Sequence, residues 1–476
     1  MNISKTGIFD KNFWLSLILG LSLVGSASVC AQPVPGDGSA QGVRKAGVTC
    51  TGRNDPGERR RIAVLMQDLE KVRGLKFNKD VQCNFCTLRQ AGDYIKDVNK
   101  KYGNPAAEQR RDDFFHHLLL LNKEQIFAKC SELLYSDQVR GLYDTVGKVL
   151  LVVTDILEEP SLNKTVVKLL DHFNINLGDI FLVHELCHAL QDQNFNLGDS
   201  IMKADGNLDR ELAAMAAAEG DATAAMFDYV GSAMGINSSM VTDYIFSSSN
   251  LIQNAINQYP QLKNSPFIVR ALALMPYLQG LEFRKTVADQ QGQAGINRIF
   301  RQIPASTEYI LHPLKYVKNV DAPKVVDMSR LPEAFGEYVS LGDDSAGEYV
   351  IRAWAEKFLP ENNAISAGRG WGGDTWRVYR RNVGEAAAPS SEKDAEAEAQ
   401  SEPAEGESFV IWSSVWDSDF DAQEFSKAAA DILKDKAQIK TFDRLVTVLI
   451  DVPDSVGDEV EKAVSEPNIE IRSSDW

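Results

Sequence analysis

The sequence predicts an α+β protein in which helix predominates, and three observations predict it. Apolar residues recur at helical spacing through most of the chain before Pro304. β-rich runs bounded by turn residues are confined to a short stretch around Gly147 and to the C-terminal third. Between two of those late runs lies a stretch of Glu, Ala, Ser and Pro with almost no bulky apolar residue.

The elements follow in order. Lys5 and Lys11 precede an apolar stretch from Phe13 to Val24, too short for a membrane span, and Val29-Cys30-Ala31 fits a signal-peptidase site cut before Gln32. Residues 1–31 are therefore an expected export signal. A lipidated Cys30 would want a small residue before it, and Val29 is not small. No later segment is long and apolar enough to span a bilayer. These features predict a periplasmic or extracellular protein. Residues 32–57, rich in Gly, Pro and Ser, read as a flexible lead-in.

Ile62, Leu65, Met66, Leu69 and Val72, then Phe114, His117, Leu118 and Leu121, predict a helical N-terminal domain over 58–135. Lys148 to Val153 predicts a strand, or a hairpin around Gly147. Helices are expected at Ser161 to Phe173, Gly178 to Gln193, Arg210 to Val230, 265–286 and 293–302. A metal-binding domain is drawn at 136–335 and a small α/β domain at 336–476. In the latter, Gly370 to Asp374 reads as a tight turn anchored by Trp371. Strands are expected at Thr375 to Arg380, Phe409 to Val415 and Leu445 to Val452, and a helix capped by Ser418. The acidic stretch 384–408 reads as a disordered insertion in a hairpin between two strands.

The chain has 476 residues and a net charge of −17. An acidic body argues against nucleic acid or an anionic membrane surface as partner, since both are polyanions. With Cys30 removed, Cys50, Cys83, Cys86, Cys130 and Cys187 remain. An odd number leaves at least one free thiol, and Cys187, inside the helix described next, is the natural one. The other four suggest a disulfide framework in an oxidising compartment. Cys83 and Cys86 read less readily as a redox or metal pair, because no second such pair completes a four-thiolate site.

The chemistry concentrates in Val183-His184-Glu185-Leu186-Cys187-His188. On a helix, His184 and His188 lie one turn apart on one face, and two imidazoles so placed can reach one Zn²⁺ at about 2.0–2.1 Å. Glu185 points to the side, where it can reach a water at the open position and take its proton as general base. With only six histidines in the chain, the pattern is hard to place by chance. The plainer reading is an amphipathic helix with two hydrogen-bonded core histidines. A third ligand is needed. Glu219, on the Ala-rich helix from Leu212 to Asp221, is the best candidate because its small neighbours allow close approach. Glu211 and Asp221 are alternatives, and Asp221, Asp192 and Thr223 could orient the histidine N–H groups. His116-His117 reads as packing. Asp417, Asp419 and Asp421 read as helix capping, since the glycine and closing glutamate of a calcium loop are missing.

His-Glu-x-x-His followed by a glutamate on a later helix resembles the gluzincin metallopeptidases, the thermolysin-like branch of the zincin fold. A closer similarity is to a group of largely uncharacterised exported bacterial proteins. It rests on the run from His184 to Phe195, on Glu219-Gly220-Asp221-Ala222, on Ser306-Thr307-Glu308 through Leu311-His312-Pro313-Leu314-Lys315-Tyr316, and on Gly370-Trp371-Gly372-Gly373-Asp374. The resemblance implies a zincin-like domain with His184, His188 and Glu219 holding zinc and Glu185 as base. It implies that the strand Lys148 to Val153 pairs with an extended peptide or protein substrate, and that His312, Tyr309 or Tyr316 stabilises an oxyanion. The expected activity is hydrolysis of peptide bonds. The alternatives are a non-catalytic zinc-binding or assembly protein, and a zinc amidase acting on cell-wall amides. A latent form, with the N-terminal helices covering the cleft, is a further expectation. Cys187 sits where such motifs often carry Thr or a small residue.

Overall fold

The computed structural model describes residues 48–51, 56–135, 141–154, 170, 172–204, 206–246, 256–257, 260–382, 407–465 and 469–473. The expected export signal, most of the lead-in, nearly all of the helix expected at Ser161 to Phe173 and nearly all of the acidic insertion lie outside them.

In chain order the first half contains β1 (Val48–Thr51), α1 (Pro56–Arg73), β2 (Val81–Cys86), α2 (Leu88–Tyr102), α3 (Pro105–His117), α4 (Phe127–Tyr135), β3 (Gly141–Asp144) and β4 (Val149–Val153). The long helices α5 (Leu177–Phe195) and α6 (Leu208–Met234) follow, then α7 (Ser238–Phe246) and α8 (Phe267–Arg301). The remainder comprises β5 (Lys324–Asp327), β6 (Ala334–Phe335), β7 (Tyr338–Asp344), α9 (Gly347–Phe358), β8 (Trp371–Arg381), β9 (Ser408–Trp416), α10 (Asp419–Leu433), β10 (Ala437–Phe442), β11 (Leu445–Ile450), α11 (Gly457–Ser465) and β12 (Glu470–Ser473), with short helices between. The chain is thus mixed helix and sheet with helix predominating, as expected.

Two sheets organise it. A four-stranded sheet runs β1-β2-β4-β3, parallel except for β3, which pairs antiparallel with β4 across the expected hairpin at Gly147. A six-stranded sheet runs β10-β11-β9-β8-β7-β6, antiparallel throughout. The expected hairpin around the acidic insertion is present, β8 pairing antiparallel with β9.

The expected domain boundaries are bridged. β1 and β2 share a sheet with β3 and β4, so the N-terminal region is not a separate helical unit. Ile62, Leu65, Met66 and Leu69 of α1 lie in one core cluster with Val183, Leu186, Cys187 and Leu190 of α5. α1 is therefore part of the core that holds α5 and not a removable cover. Further on, one cluster runs from Phe114 of α3 to Ile450 of β11, and Phe114 stacks on Trp376 at 4.1 Å. β2 escaped sequence reading because it is a short run between helices whose Cys-Asn-Phe-Cys suggested a paired thiol motif.

That strand also corrects the cysteine framework. Residues three apart on a strand face opposite sides. Cys83 packs with α1 and α5, while Cys86 packs with Ala91, Leu142 and Leu151 on the other face. Cys83 is disulfide-bonded, and its register partner across β1–β2 is Cys50. Cys86 and Cys130 form no disulfide, nor does Cys187, the thiol expected to be left over.

The expected turn is confined to Gly370, at φ 74°, and Trp371 to Asp374 already belong to β8. A Cβ at Gly373 would sit 2.1 Å from the Lys324 carbonyl oxygen, so Gly373 serves a close approach to β5. Trp371 is buried as expected, and its indole N–H donates to Asp374. Asp374 also accepts from Trp412 Nε1, Ser345 Oγ and the backbone N–H groups of Ala346 and Gly347, at the start of α9. A carboxylate there satisfies orphan helix donors and complements the helix dipole. The helices expected at 265–286 and 293–302 form one element, α8, interrupted at Gly292 with φ 59° and ψ −153°.

The tightest helix contact is between α6 and α8. A Cβ at Gly220 would lie 2.1 Å from the Gly280 carbonyl carbon, and one at Gly280 would lie 2.1 Å from the Ala216 oxygen. Gly220→Ala is expected to push these backbones apart and destabilise the protein by about 1–3 kcal/mol. A urea-unfolding midpoint equal to wild type would refute that. A chain starting at residue 136 lacks α1, β1 and β2 and is expected to lose cooperative unfolding. A sharp melting transition from that fragment would show that the N-terminal elements are dispensable.

Candidate metal centre

α5 starts where the Asn176 side chain accepts from Gly178 N, and it ends at Asn196, in the left-handed region at φ 59°. It is buried on nearly all sides from Ile180 to Asp192. Its hydrophobic pattern is therefore not one-sided, and a polar group on it needs a partner. α6 starts with Asn207 accepting from Arg210 N and ends at Gly235, with φ 69°.

The three expected ligands come together. His184 Nε2 lies 3.0 Å from Glu219 Oε2, His188 Nε2 lies 3.4 Å from the same oxygen, and the two imidazole Nε2 atoms are 3.2 Å apart. Donors about 2.1 Å from a tetrahedral metal stand about 3.4 Å from one another, so this triangle matches one face of such a site. Among the described residues, this is the one group holding histidines in which three such donors fall within metal-binding reach. His184 is 1%, His188 8% and Glu219 6% exposed, so these donors are out of bulk water. Of the alternative ligands, Glu211 takes a two-pronged contact from Arg111, and Asp221 bonds Arg73.

Without a metal, the triangle needs a proton. Burial disfavours a charged His188, but the neighbouring Glu219 carboxylate overrides it, Glu185 adds to it, and the imidazole pKa rises to about 9. Burial would likewise raise Glu219, but His188 and His184 hold its carboxyl down at about 2. Metal-free, the pair is ionised at neutral pH.

Glu185 is 2% exposed and sits beside this triangle, as expected for a group that flanks the ligands. Its Oε2 accepts from the backbone N–H of Tyr143 at 2.8 Å. Its other oxygen takes no hydrogen bond among the described residues. Tyr143 lies on β3, the edge strand packed on α5, whereas β4, which contains most of the expected substrate-pairing segment, is flanked by β2 and β3. The strand beside the site is therefore β3.

His312 and Tyr316 are placed elsewhere. His312 Nε2 pairs with Glu348 at 2.9 Å, and Tyr316 Oη donates to the Gln302 carbonyl at 2.9 Å. The Tyr309 ring packs against Tyr316. Neither His312 nor Tyr316 is in hydrogen-bond contact with the three ligands. The aromatic ring that does lie against them is Tyr277 of α8, nearly parallel to His184 with centroids 6.1 Å apart. Nothing in its apolar helical setting marked it in the sequence. Asp192 serves Tyr143 Oη and Lys148 rather than a histidine, and Thr223 Oγ1 is buried without a partner. The group that touches His188 is Gln191, whose Oε1 lies 3.0 Å from Nδ1. Burial pushes the Cys187 thiol well up, with Asp221 adding to it, so it remains a neutral core group.

Other expected features resolve simply. His117 packs between Asp451 and Ser408. Ser418 caps α10, as expected. Glu308, Asp321 and Asp417 cluster, but Lys315 is inserted among them, 2.7 Å from Glu308, and supplies the positive charge. No helix among the described residues is long and apolar enough to cross a membrane.

A family model described as a domain of unknown function (DUF8575) matches residues 286–465. The match covers the second half of α8 through α11, including His312, Tyr316 and the start of β8, and contains none of the three converging ligands. No curated protein and no solved structure matches the chain.

Metal binding has to displace the proton that His188 carries below about pH 9. Affinity should therefore rise by about tenfold per pH unit from pH 6 to 8 and level off above about 9. Chelator competition across that range checks it, and a flat profile would contradict the assignment.

Proposed function

We propose that this protein is an exported zinc-dependent peptidase of the gluzincin type, with His184, His188 and Glu219 as zinc ligands and Glu185 as general base. The observation that carries the reading is the convergence of two imidazole nitrogens and one carboxylate oxygen at 3.0–3.4 Å, with a second carboxylate beside them. Two nitrogens and one oxygen suit zinc and leave a position for a further ligand. Zinc bound there supplies Lewis acidity, acidifying a water and polarising a carbonyl.

The chain's own groups divide the remaining work. The Tyr143 N–H fixes Oε2 of Glu185, which leaves Oε1 to take a proton from the attacking water and pass it to the leaving amine. Burial of the ligands strengthens each electrostatic contact among them. β3 lies at the sheet edge beside α5, and its Tyr143 N–H is the one that Glu185 engages.

One observation favours a second reading. All three ligands and Glu185 are nearly closed off from solvent, which also suits a zinc-binding protein without hydrolytic activity.

Purified wild-type chain is expected to carry one zinc per molecule by elemental analysis. Glu185→Gln should retain the zinc and lower cleavage of a peptide library by about 10²–10⁴-fold. Unchanged cleavage in that variant would refute the mechanism. Stoichiometric zinc with no cleavage by wild type would select the second reading.

A further inference from the structure

We propose that Gln191 is a positioning residue of the metal centre: its amide fixes the tautomer of His188, and Asp221, clamped by Arg73 and Arg284, fixes the amide. The inference rests on the metal reading above.

Gln191 is completely buried. Its Nε2 lies 3.1 Å from the Ala218 carbonyl oxygen and 3.0 Å from Asp221 Oδ2, with Cys187 Sγ a weaker and more distant acceptor at 3.7 Å. Both oxygens only accept, so both amide protons are committed to them. The opposite flip would bring the amide oxygen against two buried acceptors, and the contacts therefore dictate the orientation. Oε1 must then face His188 Nδ1, 3.0 Å away. A carbonyl oxygen cannot donate, so Nδ1 carries the hydrogen. The lone pair of neutral His188 is left on Nε2, the atom that faces His184 and Glu219.

Asp221 is held in turn. Its Oδ2 accepts from Arg73 Nε at 2.8 Å, with both side chains fully out of solvent, and Arg284 Nε lies 3.5 Å from Oδ1. Arg73 comes from the end of α1 and Arg284 from α8. The chain of contacts therefore runs from two flanking helices through α6 to the second histidine of α5. His184 has no such arrangement. Its Nδ1 is buried without a partner, and its ring is set against Tyr277. The two ligands are oriented by different means, one by hydrogen bonds and one by packing.

The test uses the full chain with Zn²⁺ and Co²⁺ alone as probes. Gln191→Met keeps the volume and removes the acceptor. It is expected to weaken zinc binding about 10–100-fold in chelator competition and to change the Co²⁺ d–d spectrum. The melting temperature of the metal-free protein reports separately on folding. Wild-type affinity and an unchanged Co²⁺ spectrum in Gln191→Met would overturn this proposal alone. A wild-type chain that binds no zinc would overturn the metal reading, and this proposal with it.

Discussion

Glu219 reaches His184 and His188 because the helix that carries it has almost no bulk where it packs. From Ala213 to Ala225 the buried residues of α6 are mostly alanine, with Gly220 directly after the ligand. Gly220 and Gly280 let the backbones of α6 and α8 touch, and the alanines leave room for α5. A glutamate side chain has three rotatable bonds, so its carboxylate is well placed only when its backbone is close and fixed. Bulk at Gly220 or Gly280 would push α6 from α8 and with it the Glu219 backbone.

That close packing creates an electrostatic problem, and the same helices answer it. Glu185, Glu219 and Asp221 are all buried within a few turns of one another. Glu219 is balanced by the histidines, or by a cation in their place, and Asp221 by Arg73 and Arg284. Glu185 has only a backbone N–H as an identified partner. Removing one member of such a set leaves a charge uncompensated in low dielectric, which costs more than the pair contributes. Arg73 therefore ties the N-terminal helix to the centre by a buried ion pair in addition to its apolar contacts. This is why the region read as a separable domain is integral to the fold.

The centre itself was legible in the sequence because its signal is local. His184 and His188 are a helical turn apart, and a lone glutamate in an alanine run stands out. The hairpin at Gly147, the β8–β9 pair and the Ser418 cap were legible for the same reason. What was not legible depends on contacts between distant segments. β2 and its parallel pairing depend on β1 and β4, and the fate of Cys83 follows from that register. Gln191 looks like any polar residue near a helix end until Asp221, thirty positions away, explains its orientation. His312 and Tyr316 drew attention because they sit in a distinctive run. That run serves packing around Glu348 and Gln302.

The family match and the metal centre fall on different parts of one continuous core, and this bears on where the chemistry lies. The match at 286–465 begins beyond His184, His188 and Glu219. Its buried polar hub, Asp374 with its five donors, is satisfied within the chain. A fully satisfied hub rigidifies a fold and leaves nothing for a ligand to use. The triangle on α5 and α6 is the opposite case. Its two imidazole nitrogens face each other across 3.2 Å, and one of them must hold a proton unless a cation takes its place. A buried site that carries a positive charge among three converging donors is one that a metal ion could occupy, and it lies before the matched region.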